Sequence, residues 1–158
     1  MVGEGLDRIG NTFVIGDMVT ADIPAILEIE QASFTTPWSE TSFFNELKKP
    51  GSFLKVAKKG GRIVGYICGA WIIDEGHVLD LAVHPEYRRL GIASALVSLS
   101  IERLKEEGCR FVFLEVRASN DYAKTMYEKF GFEVLGTRKN YYVSPAEDAV
   151  IMVLKSGG

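Results

Sequence analysis

The chain has 158 residues, enough for one domain with a core of its own, and its 47% hydrophobic and 25% charged content is ordinary for a globular protein, which argues against disorder. A formal charge of -3 gives no basic footprint for nucleic acid. No apolar run approaches the ~20 residues of a membrane span, and the opening MVGEGLDRIG lacks the apolar core of a signal peptide, so no membrane contact and a cytoplasmic location are expected.

Residues 1–11 carry Gly3, Gly5 and Gly10 with little apolar periodicity and read as a loose lead-in. Residues 12–155 read as a single domain, and 156–158 as a tail. Thr12 to Met18 predicts a first strand; Thr20 then stands as the N-cap of a helix with Pro24 early and Ile23, Ile26 and Leu27 on its apolar stripe. Phe34-Thr35-Thr36-Pro37-Trp38-Ser39 interrupts the helical pattern, and Ser39 is placed to cap a second helix over Glu40 to Lys48. Phe34 and Trp38 in that loop are either lids on the core, the commoner outcome, or parts of a binding wall.

From Phe53 the period becomes that of strands. Phe53 to Ala57, a Lys58-Lys59-Gly60-Gly61 turn and Ile63 to Ile73 read as an antiparallel pair, with Asp74-Glu75-Gly76 turning into Val78 to Val83. A helix from about Gly91 to Glu107 is stopped by Gly108, and Phe111 to Val116 follows as a strand parallel to Val78–Val83. Ser119-Asn120-Asp121 caps a short helix with Ala123, Met126, Tyr127 and Phe130 on one face, and two further strands close the chain. Cys68 and Cys109 lie far apart in apolar surroundings without a CxxC or a histidine pair, so metal binding has no support and buried, unreactive thiols are expected.

Val83 to Ala95, VHPEYRRLGIASA, joins a strand to a helix through two arginines and a glycine. Backbone N–H groups at a helix start lack intrahelical partners and lie at the positive end of the helix dipole, which suits a phosphate or pyrophosphate. Gly91 and Ala93 keep side chains out of the way, and at least one of Arg88 and Arg89 is expected to face the anion. GxxxxGK[ST] is absent and no GxGxxG follows a strand, so neither a P-loop nor a dinucleotide fold is indicated. A solvated turn before an ordinary helix is the other reading of these residues.

Three segments in this order, RRLGIA at Arg88–Ala93, EVRASN at Glu115–Asn120 and YEKFGF at Tyr127–Phe132, resemble the GNAT superfamily of acetyl-CoA-dependent N-acetyltransferases. With Ile29-Glu30-Gln31, Pro37-Trp38-Ser39, Asn140-Tyr141-Tyr142 and Glu147 to Met152, the likeness narrows to the bacterial ribosomal-protein alanine N-acetyltransferases and runs from Val19 to Leu154. The resemblance implies an α/β fold: a mixed, mostly antiparallel sheet of seven strands, splayed between the fourth and fifth, flanked by about four helices. It implies acetyl-CoA, held by the backbone of Leu81, Ala82 and Val83 along the acetyl and pantetheine arm, by Arg89, Leu90, Gly91, Ile92, Ala93 and Ser94 at the pyrophosphate, and by Asn120 on the arm.

The same resemblance gives Glu115 the role of general base, directly or through water, and Tyr127 that of general acid towards the coenzyme thiolate. Glu115 alternates with Phe111 and Phe113, where desolvation would raise its pKa; a carboxylate paired with Arg117 or Arg138 is the alternative. For Tyr127 the alternative is a core aromatic on a helix stripe. A basic ribosomal-protein N-terminus would suit an acidic rim to which Glu30, Asp74 and Glu75 contribute, with Asn140, Tyr141 and Tyr142 closing over the peptide backbone. Competing readings keep the chemistry with other protein N-termini or a small amine, or make the chain an idle acyl-CoA-binding sensor. Oligomeric state is not legible.

Overall fold

The computed structural model describes residues 3–6 and 12–155. Its elements are β1 (Gly3–Leu6), β2 (Thr12–Asp17), α1 (Ile23–Ser33), α2 (Glu40–Lys48), β3 (Ser52–Lys59), β4 (Arg62–Ile72), β5 (Glu75–Val83), α3 (Ile92–Glu106), β6 (Phe111–Arg117), α4 (Asp121–Lys129), β7 (Glu133–Val143) and β8 (Ala146–Lys155), with 3-10 turns at Thr20–Asp22 and Pro85–Tyr87. The strands hydrogen-bond in the order β1-β2-β3-β4-β5-β6-β8-β7 as one mixed sheet.

The seven expected strands are β2 to β8, and β1 is an addition. The loose lead-in is therefore corrected at Gly3–Leu6, which pairs antiparallel with β2, Gly5 opposite Phe13. The reason is local: the Phe13 ring lies over Gly5 so closely that a Cβ there would stand 2.7 Å from its Cζ. A four-residue strand rich in glycine carries no periodicity to read. The rest of the lead-in, and the tail at 156–158, lie outside the described residues.

The chain falls into two compact units, one ending at Ala70 and resuming over Leu79–Ser100, the other comprising Trp71–Val78 and the chain from Ile101. In the first, α1 and α2 bury one face against β3 and β4. Ile23, Ile26 and Ile29 of α1 and Phe43 of α2 join Leu54, Val56, Tyr66, Cys68 and Ala82 in one core cluster. Ser39 caps α2 as expected, accepting the Ser42 N–H at 3.1 Å. Thr20 does not cap α1; the Asp22 carboxylate reaches back to the Val19 N–H at 2.9 Å, and the 3-10 turn carries the chain into the helix.

In the second unit β6 lies parallel to the start of β5, with Glu75 opposite Phe111 and His77 opposite Phe113, and antiparallel to β8 along its whole length. β8 pairs in turn with β7. Asn120 caps α4, its Oδ1 accepting the Ala123 N–H at 3.1 Å. Between Arg138 and Tyr142 the β7–β8 register slips, so that Lys139, Asn140 and Tyr141 stand opposite Asp148 alone. Cys68 and Cys109 are both buried and unpaired with each other.

Candidate active site

The first unit carries the Arg88–Ser94 turn, the expected anion site. Arg88 donates from Nε to the Val83 carbonyl at 2.9 Å and from Nη2 to Ser33 Oγ at 3.1 Å, so its guanidinium braces the turn against the end of β5 and the end of α1. Arg89 is exposed and sits at φ +64°. Gly91 sits at φ +92°, a conformation that favours glycine, and a Cβ built there meets nothing within 4 Å. The first bond back along α3 runs from the Ala95 N–H to the Gly91 carbonyl at 3.1 Å, so the N–H groups of Ile92, Ala93 and Ser94 are the orphan donors of the helix start. Ile92 is itself buried beside Gly65 and offers an anion only its backbone. Open space, orphan N–H groups and Arg89 fit a pyrophosphate. At the end of β5, Leu81 is half-buried and Ala82 and Val83 buried; the Val83 carbonyl is already engaged by Arg88.

The α1–α2 loop gives its two aromatics different fates. Trp38 is half-buried, its ring 5.1 Å from that of Phe43, and covers the core, whereas Phe34 is 38% exposed. Glu30 is a correction. It was expected on an acidic rim, but it is 1% exposed and its carboxylate is spent on the Trp38 N–H, at 2.9 Å, and the Tyr66 hydroxyl. Position 30 falls on the same inward face of α1 as Ile23 and Ile26, so it points into the core. Beside it Asp80 is buried too, with Oδ2 unpartnered. Burial, with Glu30 facing it, pushes the Asp80 carboxyl up to about 9, against the opposing pull of the Leu81 N–H. Burial also raises the Tyr66 hydroxyl and the Cys68 thiol, Asp80 and Glu30 adding to both.

The second unit carries Glu115 and Tyr127, the two residues expected to move protons. Glu115 on β6 is 34% exposed at its side chain and faces Arg138, with 3.8 Å between Oε1 and Nη1. The desolvated carboxylate expected on an apolar strand face is thus replaced by a partly solvated one with an arginine partner, because Arg138 on β7 reaches it. Tyr127 on α4 is buried, its ring edge-on to Phe132 at 5.4 Å. The β7 bulge holds Asn140 at φ +52°, its N–H bonded to Asp148 Oδ1 at 2.8 Å. Tyr141 lies under Arg138 at 4.9 Å and Tyr142 under Arg117 at 4.3 Å. Burial raises the Tyr142 hydroxyl, with Tyr141 and Glu115 adding to it. Arg117 also bonds Glu147 at 3.2 Å, and hydrogen bonds from Ser119 hold Glu147 below the usual carboxylate range.

Residues 23–132 match the model of the Acetyltransferase (GNAT) family. The chain belongs to this family. As a member it is an acetyltransferase that takes its acetyl group from acetyl-CoA. It is 41% identical over 140 residues, 87% of this chain and 92% of the relative, to a Bacillus subtilis (strain 168) protein named, provisionally, a ribosomal protein bS18-alanine N-acetyltransferase. It is 34% identical over 142 residues, 89% of this chain and 95% of the relative, to the Escherichia coli (strain K12) enzyme named a ribosomal protein bS18-alanine N-acetyltransferase. The crystal structure of the E. coli ribosomal-protein-S18-alanine N-acetyltransferase superposes with a TM-score of 0.85 over 92% of this chain and 96% of that one.

Tyr66, Asp80 and the Arg117–Glu147 clip were not singled out from the sequence. Asp80 had a signal, a lone acid in the apolar run Val78-Leu79-Asp80-Leu81-Ala82-Val83; Tyr66 had none, being one more aromatic in a strand.

Proposed function

We propose that the protein acetylates the α-amino group of a protein N-terminus, and that its natural acceptor is the N-terminal alanine of a small-subunit ribosomal protein. The likeness along nearly the full chain to relatives named for that activity carries the reading. Phe34, exposed in the α1–α2 loop, and Asn140, Tyr141 and Tyr142 on the β7 bulge are the residues we assign to the acceptor peptide.

Arg89 and the backbone of Leu90 to Ser94 take the pyrophosphate, the backbone of Leu81 and Ala82 the arm, and Asn120, whose Oδ1 already caps α4, offers the arm its amide NH₂. Acetyl-CoA bound there supplies an acetyl group on a thioester. An α-ammonium has a pKa of ~8 and must lose a proton before its nitrogen can form the new amide bond. Glu115, partly solvated and reachable, accepts that proton, directly or through one water, with Arg138 holding the carboxylate in place. The carbon–sulfur bond breaks as the carbon–nitrogen bond forms, the Tyr127 hydroxyl gives a proton to the leaving sulfur, and the second proton shed by the acetylated nitrogen restores that hydroxyl through water.

Mass spectrometry of a peptide panel incubated with the protein and acetyl-CoA tests this, the first residue being varied over a basic ribosomal-protein-like sequence. One acetyl group on the α-amine of the alanine-first peptide is expected. Even acetylation of many N-termini would retract the alanine; none, with acetyl-CoA still bound, would move the acceptor to a small amine or leave a sensor.

A further inference from the structure

Glu30 stands where neither the helix dipole nor burial favours a carboxylate. It lies in the last turn of α1, beside the negative end of the helix dipole, and it is fully enclosed. Among the described residues neither it nor Asp80 forms an ion pair with a lysine or arginine. What the carboxylate does instead is join three elements. One oxygen accepts the Tyr66 hydroxyl of β4, and the other accepts the backbone N–H of Trp38 in the α1–α2 loop. Phe34 to Pro37, the exposed stretch between the end of α1 and Trp38, hangs between this bond and the Arg88–Ser33 bond.

We propose that Glu30 is a positioning residue for the acceptor: by fixing Trp38 to the sheet it sets where the Phe34–Pro37 segment stands to receive the incoming N-terminus. This rests on the assignment of that segment to the acceptor peptide.

Glu30→Met keeps the length of the side chain but removes both acceptor oxygens, so neither Tyr66 nor Trp38 keeps its bond, whereas a glutamine could turn its NH₂ to the Tyr66 hydroxyl and still accept from Trp38. Expected are faster hydrogen exchange at the Trp38 amide and an acceptor-peptide KM raised at least about tenfold, with kcat and the acetyl-CoA KM within about threefold of the parent. Should Glu30→Met fail to fold, Tyr66→Phe, which removes one of the two donors, should raise acceptor KM in the same direction by less.

Unchanged exchange at Trp38 in Glu30→Met overturns the clamp. Faster exchange with an unchanged acceptor KM, or equal losses in kcat and both KM values, overturns the positioning role. A parent inactive on every peptide overturns the acceptor assignment and this role with it, while Trp38 exchange still decides whether the clamp exists.

Discussion

Arg88 reaches from the anion-binding turn to the Val83 carbonyl, 2.9 Å away, so the last carbonyl of β5 and the approach to α3 are held by one guanidinium. Its Nη2 also holds Ser33 Oγ. Arg88→Ala should therefore weaken acetyl-CoA binding by roughly three- to tenfold through the shape of the turn rather than through lost charge. Arg88→Lys, a single ammonium unable to span both partners, should not restore it. Isothermal titration with coenzyme A reads both; rescue by lysine would return Arg88 to the role of a simple phosphate cation.

Gly91 has room for a methyl group but not the backbone for one. Gly91→Ala forces an L-residue to φ +92° at a cost of about 1–2 kcal/mol, or roughly 2–8 °C in Tm for a chain of this size. Coenzyme A affinity should fall with it, because relaxing the strain moves the N–H groups of Ile92 to Ser94. A Tm equal to the parent's would show that the turn tolerates a right-handed backbone.

Tyr127→Phe keeps the ring packed edge-on to Phe132 and removes only the hydroxyl. Turnover should drop by roughly 10²–10⁴-fold with coenzyme A affinity and Tm close to the parent's. Single-turnover kinetics at saturating acetyl-CoA makes the measurement, and an unchanged rate would remove Tyr127 from proton transfer.

Glu115→Gln leaves Arg138 with a neutral partner and removes the proposed base. The limb of the kcat/KM profile that falls towards acid should flatten, and the rate at neutral pH should drop by about 10²-fold or more. A profile superposing on the parent's would assign the base elsewhere.

Asp80, raised to about 9 in the folded chain, holds a proton that the unfolded chain has lost above a pKa of ~3.9. The native state therefore binds more protons across that interval. The stability this contributes is complete below ~4 and is lost progressively as pH rises towards about 9. Asp80→Asn removes the dependence, so its stability relative to the parent should increase with pH, by at most about 4 kcal/mol between pH 5 and 8. Urea denaturation of both proteins at the two pH values decides it; a constant difference would mean that Asp80 is ionised throughout.

The elements were legible because their signals are local. The Ser39 cap, the Gly60-Gly61 turn with φ of +59° and +80° and the Gly108 stop at φ +87° each act within a few residues. The alternation in Phe111–Arg117 likewise reads out as alternating burial. The Arg88–Ser94 turn was legible for the same reason, being one continuous stretch. What pairs across long separations was not. Nothing near Glu30 announces that Tyr66, 36 residues on, will meet it, so a lone acid after an amphipathic stripe reads as a rim charge. Glu115 was half legible: its strand face was correct, and of two arginines weighed as partners the one on β7 closes on it. β1 escaped because its pairing depends on a ring lying over a glycine, which composition does not encode.

Both thiols of the chain are enclosed, Cys68 to 0% and Cys109 to 3% exposure, and burial raises each above its ordinary pKa. Neither presents a thiolate to an alkylating probe while the chain is folded. A cysteine introduced at exposed Thr35 or Thr36 would accordingly take a maleimide fluorophore alone, with no need to mutate the native pair. The α1–α2 loop is thereby open to direct optical observation during turnover.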